Sequence, residues 1–319
     1  MTQTRSPAGI DLPHRARSPQ RRVVGRLLRN PPALIGLGVV AAMILCAIFA
    51  PQLAPYAYDA QDLSIARQAP SPAHWFGTDD LGRDMLSRII WGARSAVFVI
   101  VMVMIVNLGL GVPLGAAAGY FGGWVETVVM RAADILFAFP GLLFVFFIAA
   151  TIKPAILTWA REAGWRDLAN SGYLDYAVVI IALGVIGWAG LARMVRAQVL
   201  AVKEREYVIG AQAIGVPTWK IIARHILPNA LAPVIVALSM GLGDIALSEG
   251  YLSFLGIGLQ PPAPSWGNIL SDNAGRYWRM FPQMIWMVWI PGLILAAVVF
   301  AFNFLGDGLN EALNPELVD

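Results

Sequence analysis

Charge is scarce in this chain. Of its 319 residues only 13% are Asp, Glu, Lys or Arg, against about 25% in a soluble domain. What charge exists leaves long gaps. None falls between Arg94 and Glu126, or between Arg279 and Asp307. Each gap exceeds the roughly 20 residues a helix needs to cross a bilayer. A soluble fold would have to hide such helices on every side. The scarcity therefore excludes an ordinary soluble domain, although the chain is long enough to bury a sizeable core.

Other shortages exclude further classes. One cysteine, Cys46, leaves no intrachain disulfide. It lies inside the first apolar run, where a thiol behaves as a small packing residue. Met43, Ile44 and Leu45 precede it and lack the small side chains of a lipoprotein cleavage site, so no lipid anchor is read there. The lysines are Lys153, Lys203 and Lys220, and none follows a glycine. The chain thus has no G-x-x-x-x-G-K-[ST] loop with which to cradle ATP. His14, His74 and His225 are far apart and make no metal-ligand spacing. No nucleophile with a base and an orienting acid emerges, so a membrane enzyme is rejected. No metal and no cofactor is expected.

What is present is apolar: 58% of the residues, gathered into six runs. They predict an all-α integral membrane protein with six transmembrane helices, at about 33–50, 95–118, 128–152, 176–192, 230–252 and 284–305. The first ends at Pro51, in a Pro-rich stretch. A cleaved signal peptide is excluded by the long arm before it, the length of the run and the lack of an A-x-A site. The third carries Asp134 and a kink at Pro140. The fifth is interrupted by Asp244 and Glu249.

Basic residues orient the spans. The first thirty residues hold seven arginines against one acid, Asp11. Basic arms can bind nucleic acid, but beside an apolar helix the arm reads as a topology signal and no nucleic-acid partner is expected. With the N-terminus cytoplasmic, six spans return the C-terminus to the same side. Arg131 and six more basic residues from Arg193 to Arg224 then join the arm inside. The outer side keeps nine, diluted by acids in longer loops. Segments 51–94, 153–175 and 260–283 lie outside.

The loop from Arg193 to Asn229 reads as two short amphipathic helices. The first covers about 197–213 and ends at Gly215, a residue suited to a helix C-terminus. Pro217 suits the first turn of the second, which turns Trp219, Ile222, Ile226 and Leu227 to one face and closes at Pro228. Periodicity alone leaves two readings open, a protein-docking elbow and an interfacial pair lying on lipid.

Here the sequence resembles a known family. Ala211, Gly215, Leu227 and Pro228 fall at the spacing of the EAA motif of ABC importer permeases. Glu206-Tyr207-Val208 and the run Arg224 to Asn229 are similar to the peptide-importer version. Ile209 and Gly210 stand where that motif usually has Glu and Ala, so any salt link made by the Glu is absent or moved. The segments His74–Ala96, Leu252–Leu270 and Phe302–Pro315 resemble C-type subunits of dipeptide, oligopeptide and nickel importers. The resemblance runs from the first span to the C-terminus.

It implies a permease subunit forming half of a translocation pathway for di- or oligopeptides or a related solute, a nickel chelate or glycopeptide being the other cargoes. It divides the chain into a cytoplasmic basic arm (1–30), a first span with an external amphipathic segment (31–94), a five-helix permease core (95–306) with its coupling loop (193–229), and a cytoplasmic tail (307–319). The implied partners are a second, similar permease, two ATP-binding subunits or domains, an external solute-binding protein and membrane lipid, in the inner membrane of a prokaryote. The ATPase-coupling residues carried over are Glu206, Tyr207, Ile209, Gly210, Ala211, Gly215, Leu227 and Pro228. The rival class is a self-sufficient secondary transporter or channel. It would be expected to show an internal repeat or helices broken at the midplane, and the halves show no repeat.

Ionisable groups within spans usually face a cavity or a partner. Asp244 and Glu249 read either as a translocation path able to meet a cationic group of the substrate or, for Glu249, as a structural hydrogen-bonding group near the outer surface. Asp134 reads either as part of such a path or as a structural pair with Arg131, one turn away.

Overall fold

The computed structural model describes residues 25–277 and 284–313. The arm before residue 25, the stretch around Arg279 and the tail after Leu313 lie outside the described residues. Among the described residues the architecture is all-α, and six helices are long and apolar enough to cross a membrane.

Helix α1 (Pro31–Ile48) starts where Asn30 Oδ1 accepts the Ala33 amide at 3.0 Å, with prolines in its first turn. A short α2 (Ala50–Leu53) follows. Helix α3 (Met85–Phe121) is capped by Asp84, whose carboxylate accepts the Ser87 amide at 2.8 Å. Its 37 residues span about 55 Å. It ends at Gly122, φ +65. Then come α4 (Gly123–Phe137), α5 (Gly141–Glu162), α6 (Arg166–Asn170) and α7 (Tyr173–Lys203). The loop region holds α8 (Glu206–Ala213) and α9 (Thr218–Lys220). A π-helical turn (Ile221–Ile226) leads into α10 (Leu227–Phe254), followed by α11 (Trp266–Tyr277) and α12 (Trp286–Leu313).

Several predicted boundaries are corrected. The third span is not one kinked helix. Pro140 disfavours helical backbone at the residue before it, and the chain breaks between Phe137 and Gly141. The 15-residue α4 is too short to span, so α5 is the third span. The segment 153–175 is mostly helix, because α5 continues to Glu162. The predicted helix 197–213 is split: α7 runs to Lys203, and α8 restarts at Glu206. The external amphipathic segment that ends at residue 94 runs into α3, whose first turns begin at Met85.

Pro228 does not close a helix either. It has no N–H to donate, and its ring would crowd the carbonyl one turn back. The widened turn absorbs this: the Leu227 amide reaches Ile222 O, and Asn229 Nδ2 donates to His225 O at 2.7 Å. The chain continues into α10 without a break.

The seam between α3 and α7 is built from small residues. Gly111, Gly115 and Gly119 recur every four residues on α3. A Cβ at Gly115 would sit 2.5 Å from Ala192 O, and at Gly119 2.9 Å from Arg196 O. With little hydrophobic gain available in lipid, close backbone approach and dispersion hold such helices together.

Candidate coupling surface and translocation cavity

The loop predicted to couple is a compact elbow at the end of the bundle where α3 and α7 terminate. Its inward face is a core. Val208, Ala211, Ile221 and Ile226 are buried against Ala116, Val195, Val199, Ala230 and Val234. Helix α8 ends in a Schellman motif: the Gly215 amide donates to Gln212 O at 3.0 Å and the Val216 amide to Ala211 O at 3.1 Å. Gly215 has φ +76, the left-handed region where a Cβ is strained.

The outward face is apolar and uncovered. Ile214 is 81% exposed, Trp219 66%, Ile209 52% and Tyr207 47%. A Cβ on Gly210 or Gly215 would meet nothing within 4 Å. Glu206 and Pro228 are exposed and Leu227 half-buried. Of the residues predicted to couple, Ala211 alone turns fully inward. A large apolar side chain left in water forgoes about 1.5–3 kcal/mol of burial, and a cluster of them marks an interaction site.

The end of α7 that leads into the elbow is braced to α3 and α4. Lys203 Nζ donates to Tyr120 O at 2.5 Å, and Gln212 Nε2 reaches Tyr120 Oη at 3.4 Å. On α4, Asp134 pairs with Arg193 at 2.8 Å and Glu126 with Arg196. Asp134 thus pairs with α7 rather than with Arg131, its predicted partner.

A cavity of about 490 Å³ opens between α3, α5, α7 and α10. Among the described residues its lining is apolar apart from Asn107, Asp244 and Ser248, and Asp244 is the one charged group. The side chain of Asn107 packs against Gly187, and its buried Oδ1 has no hydrogen-bond partner among the described residues.

The structure does not bring Glu249 to this cavity. It is 2% exposed, and its Oε1 accepts from Ser253 Oγ and Ser265 Oγ, each at 2.7 Å. Ser253 Oγ also accepts the Leu259 amide at 2.9 Å, and Asn268 Nδ2 donates to Ala263 O at 2.7 Å. On the other flank Lys153 pairs with Asp175 at 2.9 Å and donates to Gly258 O at 3.1 Å. Together these groups pin the loop between α10 and α11 at the bundle end opposite the elbow.

This is the structural hydrogen-bonding role that sequence offered for Glu249; what sequence reasoning missed is an ion cluster. Asp79 Oδ2 lies 2.6 Å from both Arg83 and Arg88, and both arginines reach Asp272 on α11 at 3.3 and 3.2 Å. Arg88 pairs with Asp79 and Asp272, not with Asp84 four residues before it. Asp84 caps α3 and contacts His74 at 2.9 Å.

Comparison with known proteins finds relatives over nearly the whole chain. Residues 111–319 match the family described as binding-protein-dependent transport system inner membrane component. Residues 18–70 match the N-terminal TM domain of oligopeptide transport permease C. The chain is 38% identical to a dipeptide transport system permease protein of Alkalihalophilus pseudofirmus, over 94% of this chain and 91% of the other. It is 36% identical to an oligopeptide transport system permease protein of Bacillus subtilis, over 92% and 88%. A glutathione transport system permease protein of Pectobacterium atrosepticum is 35% identical, over 94% and 92%.

Proposed function

Because the chain belongs to the family of binding-protein-dependent transport inner membrane components, and so is a multi-pass permease of a bacterial ABC importer rather than an enzyme, we propose how its parts divide the work. The elbow at α8 docks in a partner ATPase and carries the motion of ATP hydrolysis into the membrane. The observation that carries this reading is the uncovered apolar face of Ile209, Ile214 and Trp219, with Gly210 and Gly215 open beside it, on a helix anchored inward by Val208 and Ala211. Such a face is costly in water and is offset by an apolar cleft on a partner. Glu206, Tyr207, Leu227 and Pro228 flank this contact. Ile209 makes it by apolar packing where the motif usually has an acid.

Both termini are cytoplasmic in this reading, the elbow lies on the ATPase side, and the core 95–306 forms half of the pathway. A second permease completes the pore, two ATP-binding subunits or domains drive it, and an external solute-binding protein delivers cargo. The cargo is a short peptide, as the names of the relatives suggest. Asp244 offers a carboxylate to its ammonium group from an otherwise apolar wall. Glu249, buried beneath Ser253 and Ser265, acts on the path by fixing the loop above it.

The test is disulfide crosslinking in the assembled importer between a cysteine at position 214 and the ATPase cleft. A crosslink that forms and changes with nucleotide supports the reading. An elbow that labels with lipid probes and never with the ATPase overturns it.

A further inference from the structure

A second, larger recess lies at the bundle end opposite the elbow, where α1 finishes and α3 and α7 begin. Its volume is about 880 Å³. Among the described residues Arg94 is the only charged one in its lining, and no carboxylate among them pairs with Arg94. The guanidinium stands over the Trp91 ring, 5.2 Å from its centroid. Tyr58 packs on the other part of this wall, its ring 4.9 Å from that of Trp91.

The recess is amphipathic along one axis. Arg94, Tyr58, Ser171 and Tyr173 gather at its polar end. Ile48, Val97, Phe98 and Val101, on α1 and α3, give an apolar wall, beside which Ser95 and Tyr176 satisfy each other at 2.7 Å. Ile48 is 61% exposed and Phe98 45%. The sequence fixes the depth of this boundary. Arg94 is the last charged residue before the uncharged stretch that runs to Glu126, so it stands where hydrocarbon gives way to headgroups. Tyr and Trp favour that same level.

The geometry points to a bound phospholipid with an anionic headgroup. The guanidinium takes the phosphate as a planar, two-pronged donor, and Trp91 holds its orientation. The Tyr58 and Tyr173 hydroxyls serve the remaining headgroup oxygens. An acyl chain lies along Ile48, Val97, Phe98 and Val101. Free phosphate would satisfy Arg94 but leave that apolar groove unfilled. A lipid satisfies both. The site thus ties α1, the segment after it and the start of α7 through one lipid molecule.

The experiment uses the whole importer, with its partner subunits, in vesicles of phosphatidylcholine containing a minor share of photoactivatable phosphatidylglycerol. The expected label falls on peptides carrying Phe98 and Val101. Arg94→Gln lowers it about tenfold, the loss of one charge-assisted two-pronged contact. Arg94→Lys retains more than Arg94→Gln because the charge remains. Val101→Trp also lowers it, by filling the groove with the arginine intact. Labelling that is unchanged in Arg94→Gln reports general bilayer lipid and overturns the site. Labelling abolished by millimolar inorganic phosphate makes it a free-anion site instead. A cysteine at position 98 that crosslinks to the second permease shows a subunit, not a lipid, in the recess.

Discussion

Lys203 fastens the last turn of α7 to the last turn of α3. Its Nζ lies 2.5 Å from Tyr120 O and 5.3 Å from the centre of the Tyr120 ring, across 83 residues of sequence. Helix α8, proposed to couple, begins three residues after Lys203, so a displacement of α8 would pull on two membrane-spanning helices at once.

Lys203→Met keeps the apolar stem and removes the donor. The elbow still docks, and the ATPases still turn over, but less of the motion reaches α3. The expected result in proteoliposomes is a several-fold fall in substrate moved per ATP hydrolysed. Equal losses of hydrolysis and transport would place Lys203 in docking or folding instead.

Gly210 separates docking from folding. A side chain there meets open space in the isolated chain, so Gly210→Leu should insert and accumulate normally. It should nonetheless lower ATPase binding, measured by co-purification. Gly215→Leu adds backbone strain of about 1 kcal/mol at φ +76. It should lower transport with the protein still in the membrane. Ile209→Ala should weaken docking with little dependence on salt, unlike an exposed ion pair, which salt screens. Normal transport in all three variants would remove the elbow from coupling.

The glycine seam is a stability element. Gly115→Leu drives a side chain into the Ala192 backbone and the Val195 side chain. Overpacking of this kind costs about 1–3 kcal/mol. The expected readout is a lower melting temperature and lower yield in detergent. Gly109→Leu is the control, since a Cβ at Gly109 has no neighbour within 4 Å.

Sidedness is checked by labelling. In a variant with Cys46 replaced, a cysteine at Asn170 should react with an impermeant reagent in intact cells. A cysteine at Lys203 should react only after the membrane is opened. The reverse pattern inverts the orientation.

The six spans were legible because a bilayer demands long uncharged runs, and Arg94 to Glu126 admits no other reading. Their ends were not. Arg193, Arg196 and Lys203 made the end of α7 look like loop, yet Val195 and Val199 between them turn inward at helical spacing. Pro140 was visible, but whether it bends a helix or breaks one depends on what receives the two halves. Here Glu126 and Asp134 tie α4 to arginines about sixty to seventy residues away, which no local pattern encodes. The elbow was read from Gly215 and Pro217, whose backbone needs are local, whereas Pro228 was misread as a stop. Ser253, four residues past Glu249, was a readable partner, and Ser265 was not. The spacing of Gly111, Gly115 and Gly119 was written plainly in the sequence, and its packing partner on α7 was the part that needed a structure.

The ion cluster at the far end has a consequence for an incomplete chain. Arg83 and Arg88 with Asp79 carry one excess positive charge until Asp272 arrives, 184 residues after Arg88. Holding an unmatched arginine away from water is strongly unfavourable. The segment between the first two spans therefore packs less favourably in a chain that lacks α11, where the two arginines share Asp79 alone.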